Sequence, residues 1–300
     1  MLPRVTDLQM STHRATWIES ARTRLASAEE TIATGRRINR ASDDPTATAE
    51  VLRHERRLGR LDQLERNAGN ARVWLDAADK TLQAADANLA RAKTLTVQAA
   101  NDTLEADERS AIAAELRALA DQLLSQANTR VSGRAIFAGS ADTDDAFAAD
   151  GTYLGDAGVV RRSIEQSQTV DVSQPGTTAF GVANGADPLN GNVFQMLREV
   201  ADRVETGTTA DIRAGMGAID TAAARMGTET GRVGAVQRHV DTVLQSQTDE
   251  RLNVSARVSE LRDADLAEAI IQLRTAEAGY DATMQSTARA MSRSLLDFLR

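Results

Sequence analysis

The sequence predicts a mainly α protein: an elongated antiparallel helical bundle or coiled coil built from both chain ends, with a small β-rich insert in the middle. Three observations carry this prediction. Apolar residues make up 42% of the 300 residues but aromatics only 3%, so alanine and leucine supply most of the apolar surface. That composition favours narrow helix–helix seams over a thick core. The four prolines stand at positions 3, 45, 175 and 188, so nothing interrupts a helix between Pro45 and Pro175 or after Pro188. Finally, apolar residues recur every seven positions through the first third of the chain.

The elements follow in chain order. Residues 1–44 read as an N-terminal arm whose stripe is Ile18, Leu25 and Ile32, with Ala21 and Ala28 beside it. Ser42, Asp43, Asp44 and Pro45 mark a helix start: Asp44 is placed to accept from orphan N–H groups of the first turn, and Pro45 suits the first helical position. From there Leu61, Ala68, Leu75, Leu82 and Leu89 form one heptad row. Leu64, Ala71, Ala78, Ala85, Ala92 and Ala99 form the second, and its alanines admit a close partner helix. A helix from Pro45 to Ala100 is about 80 Å long at 1.5 Å per residue. A break near Asn101-Asp102-Thr103 and a second stripe, Ile112, Leu116, Leu119, Leu123 and Ala127, predict an antiparallel hairpin over 45–139.

Glycine then accumulates, and short β-prone runs at Val159-Val160, Ser163-Ile164 and Thr169–Val172 predict a small outer insert over 140–188. Helical patterning resumes at Val193 and fills 189–262, with Val236, Val240, Val243 and Leu244 as apolar positions. Asp265-Leu266-Ala267-Glu268 has capping-box spacing and opens a C-terminal arm, 263–300. One seven-residue row of that arm is Ile270, Met284, Met291 and Phe298, with Glu277 in the gap; another contains Leu273, Tyr280, Thr287 and Ser294. Leu295 and Leu299 add apolar surface near the end. Both arms are amphipathic without a nearby core, and pairs of thin helical seams are marginally stable alone, so the stripes are expected to be covered by other subunits.

The residue types present point away from catalysis. With no cysteine and only His13, His54 and His239, disulfides, thiolate metal sites and a cysteine nucleophile are excluded. No nucleophile elbow, phosphate loop or zinc-protease helix motif occurs. Asp142, Asp144 and Asp145 fail the calcium-loop spacing, and Gly151–Gly158 reads as turns. No catalytic, cofactor-binding or metal residue is assigned, and no cofactor is expected. A net charge of −8 gives no reason to expect nucleic acid or an anionic membrane. The cluster Arg53, Arg56, Arg57 and Arg60 interleaves with Glu50, Glu55, Asp62 and Glu65 and reads as a salt-bridged helix face. No run reaches membrane-spanning length, and the first residues do not look like a cleaved secretory signal.

The ends of the chain also carry a resemblance. Residues 24–52, above all Thr34-Gly35-Arg36-Arg37-Ile38-Asn39 and Ser42-Asp43-Asp44-Pro45, resemble the N-terminal signature of the flagellin superfamily. Arg262-Asp263-Ala264-Asp265-Leu266-Ala267-Glu268-Ala269 resembles its C-terminal signature. Other stretches look most like the flagellin-like hook-associated branch: Pro45-Thr46-Ala47, Ala71–Leu75, Gln98–Asn101, Leu123–Arg130, Ile136–Gly139 and Ser294–Leu299.

The resemblance implies a structural subunit of the bacterial flagellum that polymerises at the hook–filament junction. It would be secreted through the flagellar type III apparatus to an extracellular location. Implied partners are further copies of the chain, the hook-side junction protein, flagellin, and an export chaperone with its apparatus; neither nucleic acid nor membrane is among them. Intersubunit contacts would fall on Ile18, Leu25, Ile32, Ile270, Leu273, Tyr280, Met284, Met291, Leu295, Phe298 and Leu299. Filament flagellin itself is the nearest alternative, and a helical ligand-binding module with a pocket in the insert is the alternative from another class.

Overall fold

The structure, a computed structural model, describes the backbone of residues 3–101 and 104–298, and the side chains of residue 9, of 12–101 and of 104–289. Seven α-helices account for most of it: α1 (Pro3–Thr34), α2 (Pro45–Ala99), α3 (Ala106–Ala127), α4 (Gly176–Phe180), α5 (Val193–Thr206), α6 (Thr209–Arg262) and α7 (Leu266–Phe298). Two antiparallel ribbons supply the strands: β1 (Arg130–Val131) with β2 (Arg134–Ala135), and β3 (Arg161–Ser163) with β4 (Thr169–Asp171). Among the described residues, no helix is long and apolar enough to cross a membrane. The chain divides into two compact units, one made of residues 1–60 and 250–300, the other of Leu61–Asp249. Helices α2 and α6 contribute to both.

The Leu61–Asp249 unit is a helical bundle. Ten of the eleven heptad positions read from the sequence are buried on α2, and Leu64 is half-buried. They face Ile112, Leu116, Leu119, Leu123 and Ala127 of α3, all buried as expected. Helix α5 runs antiparallel to α3: Arg117 reaches Asp202 and Glu205 at 2.7 and 2.6 Å, while Arg198 reaches Asp121 at 2.9 Å. Helix α6 runs antiparallel to α2, with Lys93 on Asp220 at 2.5 Å and Gln237 on Asp76 at 3.0 Å. Its buried face is a heptad row of its own, Ile212, Ile219, Met226, Val233 and Val240. Of this row only Val240 stands out in the linear pattern, because five glycines between 215 and 234 obscure the helical signal.

The insert has its core in aromatic rings. Four of the five phenylalanines, Phe137, Phe147, Phe180 and Phe194, pack mostly edge to face with centroids 5.1–5.8 Å apart, and Tyr153 joins at 5.2 Å from Phe147. The β content expected over 140–188 amounts to the β3–β4 ribbon, and the β1–β2 ribbon lies upstream of it; Val159 and Val160 are irregular backbone. Asn128, at the end of α3, fastens the insert: its side chain accepts from the Phe147 N–H and donates to the Phe147 carbonyl, both at 2.8 Å. Gly139 is required by geometry. Its φ is +73°, and a Cβ there would stand 2.4 Å from the Asp156 carbonyl. Gly176 has no room for a side chain either, because a Cβ would meet the Phe147 ring at 2.6 Å.

The other unit contains α1, the first sixteen residues of α2, the last turns of α6, and α7. Among its described residues only Ile38, Ala47, Val51, Val254, Val258 and Ala269 are buried apolar side chains. This is a thin interior compared with the bundle, and it sets the candidate site.

Candidate assembly surface

The connection from α1 to α2 and the connection from α6 to α7 are fastened to one another. The Arg37 N–H donates to the Arg262 carbonyl at 2.7 Å, the Arg37 guanidinium donates to the Leu261 carbonyl at 2.6 Å, and the Ala264 N–H donates to the Gly35 carbonyl at 2.9 Å. Gly35 has a φ of +65°, which ends α1 and turns the chain into this contact. Arg36 and Asp263 complete a short antiparallel bridge.

Acidic side chains hold both connections in shape. One Asp43 carboxylate oxygen accepts from the N–H groups of Asn39 and Arg40, at 3.0 and 2.8 Å. The Arg40 N–H first, then the Asn39 N–H, hold the Asp43 carboxyl below its ordinary range. Asp44 caps α2 by accepting from the Ala47 N–H at 2.9 Å, as its place before Pro45 predicts. On the other side the Ser259 hydroxyl donates to Asp263 at 2.6 Å and is the main cause of that carboxyl's lowered pKa, with Arg262 next. Arg262 also reaches Glu55 at 3.2 Å. Asp265 accepts from Ala267 and Glu268 at 2.9 and 3.4 Å and so starts α7. Every acid of Ser42-Asp43-Asp44-Pro45 and of Asp263-Ala264-Asp265 therefore has a backbone or side-chain partner in this clasp, while Ser42 is exposed.

From the clasp outward α1 and α7 pair antiparallel. The stripe Ile18, Leu25 and Ile32 of α1 is half-buried, and so are Leu273, Tyr280 and Thr287 of α7. The two arms thus cover one another in part within the chain. Each arm gives the other one partner, because the two stripes have matching heptad spacing and the clasp sets the helices side by side. The cover is incomplete. Small residues along the seam, including Ala21, Ala28, Ala276 and Gly279, leave an open groove of ≈ 690 Å³. The other α7 row faces outward, with Ile270 and Met284 46% and 43% exposed. Trp17, Leu266 and Ile271 are more exposed still. The side chains of Met291, Leu295 and Phe298, and Leu299 entirely, lie outside the described residues.

The acidic loop of the insert has ordinary ion-pair chemistry. Asp145 and Asp144 lie 2.8 and 3.9 Å from Arg130, and Asp142 lies 3.0 Å from Arg134. Among the described residues, no group of three or more His, Cys, Asp or Glu converges on a metal-sized space. The arginine cluster of α2 is paired only in part, Arg53 with Glu50 at 3.4 Å and Arg57 with Glu250 at 2.6 Å, while Glu55 turns to Arg262 instead.

Comparison with known proteins bears on both ends of this arrangement. The bacterial flagellin N-terminal helical region matches residues 5–142, and the bacterial flagellin C-terminal helical region matches residues 216–299. No curated protein sequence gives a significant match. Among solved structures, the fold is similar to a Vibrio parahaemolyticus protein described as a flagellar hook-associated protein, with 21% identity, a TM-score of 0.66, and cover of 74% of this chain and 100% of that one. It is similar to Bacillus cereus FlgL, with 21% identity, a TM-score of 0.61, and cover of 69% and 99%. It is also similar to the flagellar junction protein FlgL of Legionella pneumophila, with 16% identity, a TM-score of 0.58, and cover of 71% and 100%. With both terminal regions matched and the two signatures joined in one clasp, the chain belongs to the bacterial flagellin family of flagellar structural proteins.

Proposed function

We propose that the protein polymerises at the hook–filament junction, joining the hook-side junction protein to the first flagellin subunits. The observation that carries this reading is the outward row of α7. Ile270 and Met284 stand exposed on a helix pair whose own interior is thin, so burial against neighbouring subunits supplies what the single chain lacks. The residues named as intersubunit contacts then divide by role. Ile18, Leu25, Ile32, Leu273 and Tyr280 hold the pair together, and Ile270 and Met284 meet the next copy.

The junction, rather than the filament, is favoured by Pro45-Thr46-Ala47 after the paired aspartates and by the ending Ser294–Leu299. The solved structures of similar fold whose names refer to hooks and junctions support the same choice. Delivery to an extracellular flagellum through the export apparatus, with a chaperone for the exposed arms, follows from this role.

Deleting the gene tests it. The expected phenotype is hooks without filaments and flagellin shed into the medium. Intact junctions that lack only the filament would identify the chain as the filament subunit instead.

A further inference from the structure

Two charged stripes in the residue 1–60 and 250–300 unit are left over from the clasp and the helix pair. On α2, Leu52, Arg56 and Arg60 lie four residues apart along one face; Leu52 is 47% exposed and both arginines are exposed. Arg56 and Arg60, with Glu50, Arg53, His54 and Arg57, line an open depression of ≈ 510 Å³ beside Leu52. Arg53 and Arg57 have acidic partners, but Arg56 and Arg60 have none among the described residues. On α7, Met284, Asp281 and Glu277 form a stripe one residue shorter; all three are exposed, and neither acid has an ion pair among the described residues.

The two stripes are complementary when read in opposite directions. Leu52, Arg56 and Arg60 rise about 6 Å per step, and Met284, Asp281 and Glu277 descend by about 4.5 and 6 Å. An antiparallel apposition therefore sets Leu52 on Met284, Arg56 on Asp281 and Arg60 on Glu277: an apolar contact at one end and two ion pairs beyond it. We infer that the α2 stripe of one copy of this chain docks on the α7 stripe of the next. The contact is heterologous, since the two surfaces differ, and such contacts propagate from copy to copy into rings or helical arrays instead of closing a dimer. It also explains the acid at 277 in an otherwise apolar row: Glu277 fixes register and direction, where a fourth apolar residue would let the helices slide.

This inference rests on the proposed polymerisation and specifies one of its contacts. The test uses the full chain, which contains no cysteine. A Leu52→Cys/Met284→Cys double variant, concentrated and mildly oxidised, should give a ladder of disulfide-linked multimers, while each single variant stays unlinked. Adding Arg56→Glu/Arg60→Glu should weaken the ladder about tenfold or more, and adding Glu277→Arg/Asp281→Arg as well should restore it. Circular dichroism on each variant checks that the helices persist; if the glutamate variant does not fold, Arg56→Gln/Arg60→Gln should still weaken the ladder. Dimers from Leu52→Cys alone, a ladder indifferent to charge reversal, or no ladder from a chain that sedimentation shows to polymerise would each overturn the register and leave polymerisation standing. Absence of any polymer by sedimentation would instead remove the proposed function and this contact together.

Discussion

The Arg37 N–H donates to the Arg262 carbonyl at 2.7 Å, joining two residues 225 positions apart in the chain. Around that bond the two family signatures become a single object. The glycine, arginine and aspartates of the N-terminal signature shape one connection, and the arginine and aspartates of the C-terminal signature shape the other. In this chain the motifs are therefore instructions for bringing α1 alongside α7, and thereby for presenting one face of α7 outward.

The clasp should depend on pH. Asp43 and Asp263 both have carboxyl pKa values below the ordinary 3.8, so the folded state favours their ionised forms. Their contribution is complete above the unfolded-state value and is lost as pH falls through and below the folded one. Amide exchange at Asn39, Arg40 and Ala264, compared between pH 6 and the region under about pH 4, should show the clasp opening on acidification while the α2–α3 seam stays protected. Equal loss at both places would show that the clasp has no separate acid response.

Removing the α2 cap should be felt locally. Asp44→Ala leaves the Ala47 N–H without its acceptor and should cost about 1 kcal/mol, measured by urea denaturation. Asp44→Asn should avoid most of that loss, since its amide oxygen also caps.

The two units should differ in their sensitivity to truncation. Leu123→Ala in the fully buried bundle should cost about 2–5 kcal/mol. Leu25→Ala on the half-buried α1 stripe should cost under about 1 kcal/mol in the unassembled chain. In the same chain, amides of α1 and α7 should exchange about a hundredfold or more faster than those of the Leu61–Ala99 seam. Comparable protection would mean that the arms are stable without neighbours, against the proposed assembly.

Gly139→Ala should unfold the insert ahead of the bundle. The backbone conformation is left-handed and a Cβ would overlap Asp156, so a loss of about 2 kcal/mol or more is expected. Limited proteolysis should then cut between 140 and 175 while α3 and α5 remain protected.

An acidic residue on the outward row should block assembly without unfolding the chain. Met284→Asp or Ile270→Asp should leave the circular dichroism of the monomer nearly unchanged and abolish filament attachment in cells carrying the variant. Normal attachment would free this face from any part in the polymer.

Much of this protein is legible in its linear pattern. The heptads of Leu61–Ala99 and the stripe of Ile112–Ala127 determine the bundle, since a seven-residue repeat of apolar side chains has few other ways to leave water. Asp44 before Pro45 and Asp265 before Leu266 mark helix starts because capping is a local event between residues three apart. Five of the nine aromatics lie between Gly133 and Phe194, yet only the folded chain shows that the four phenylalanines and Tyr153 meet in one cluster. The row Ile212–Val240 had the right period but was masked by glycines, whose low helix propensity is overridden by packing against α2 and α5.

Sequence alone determined the helix starts at Pro45 and Leu266 and the apolar stripes of α1, α2, α3 and α7, because periodicity and caps act over a few residues. The tertiary structure decided which of the two α7 rows turns inward. Leu273 and Tyr280 are half-buried and Ile270 and Met284 are exposed because α1, which is far from α7 in the chain and joined to its start through contacts such as Arg37–Arg262, packs on one row and not the other.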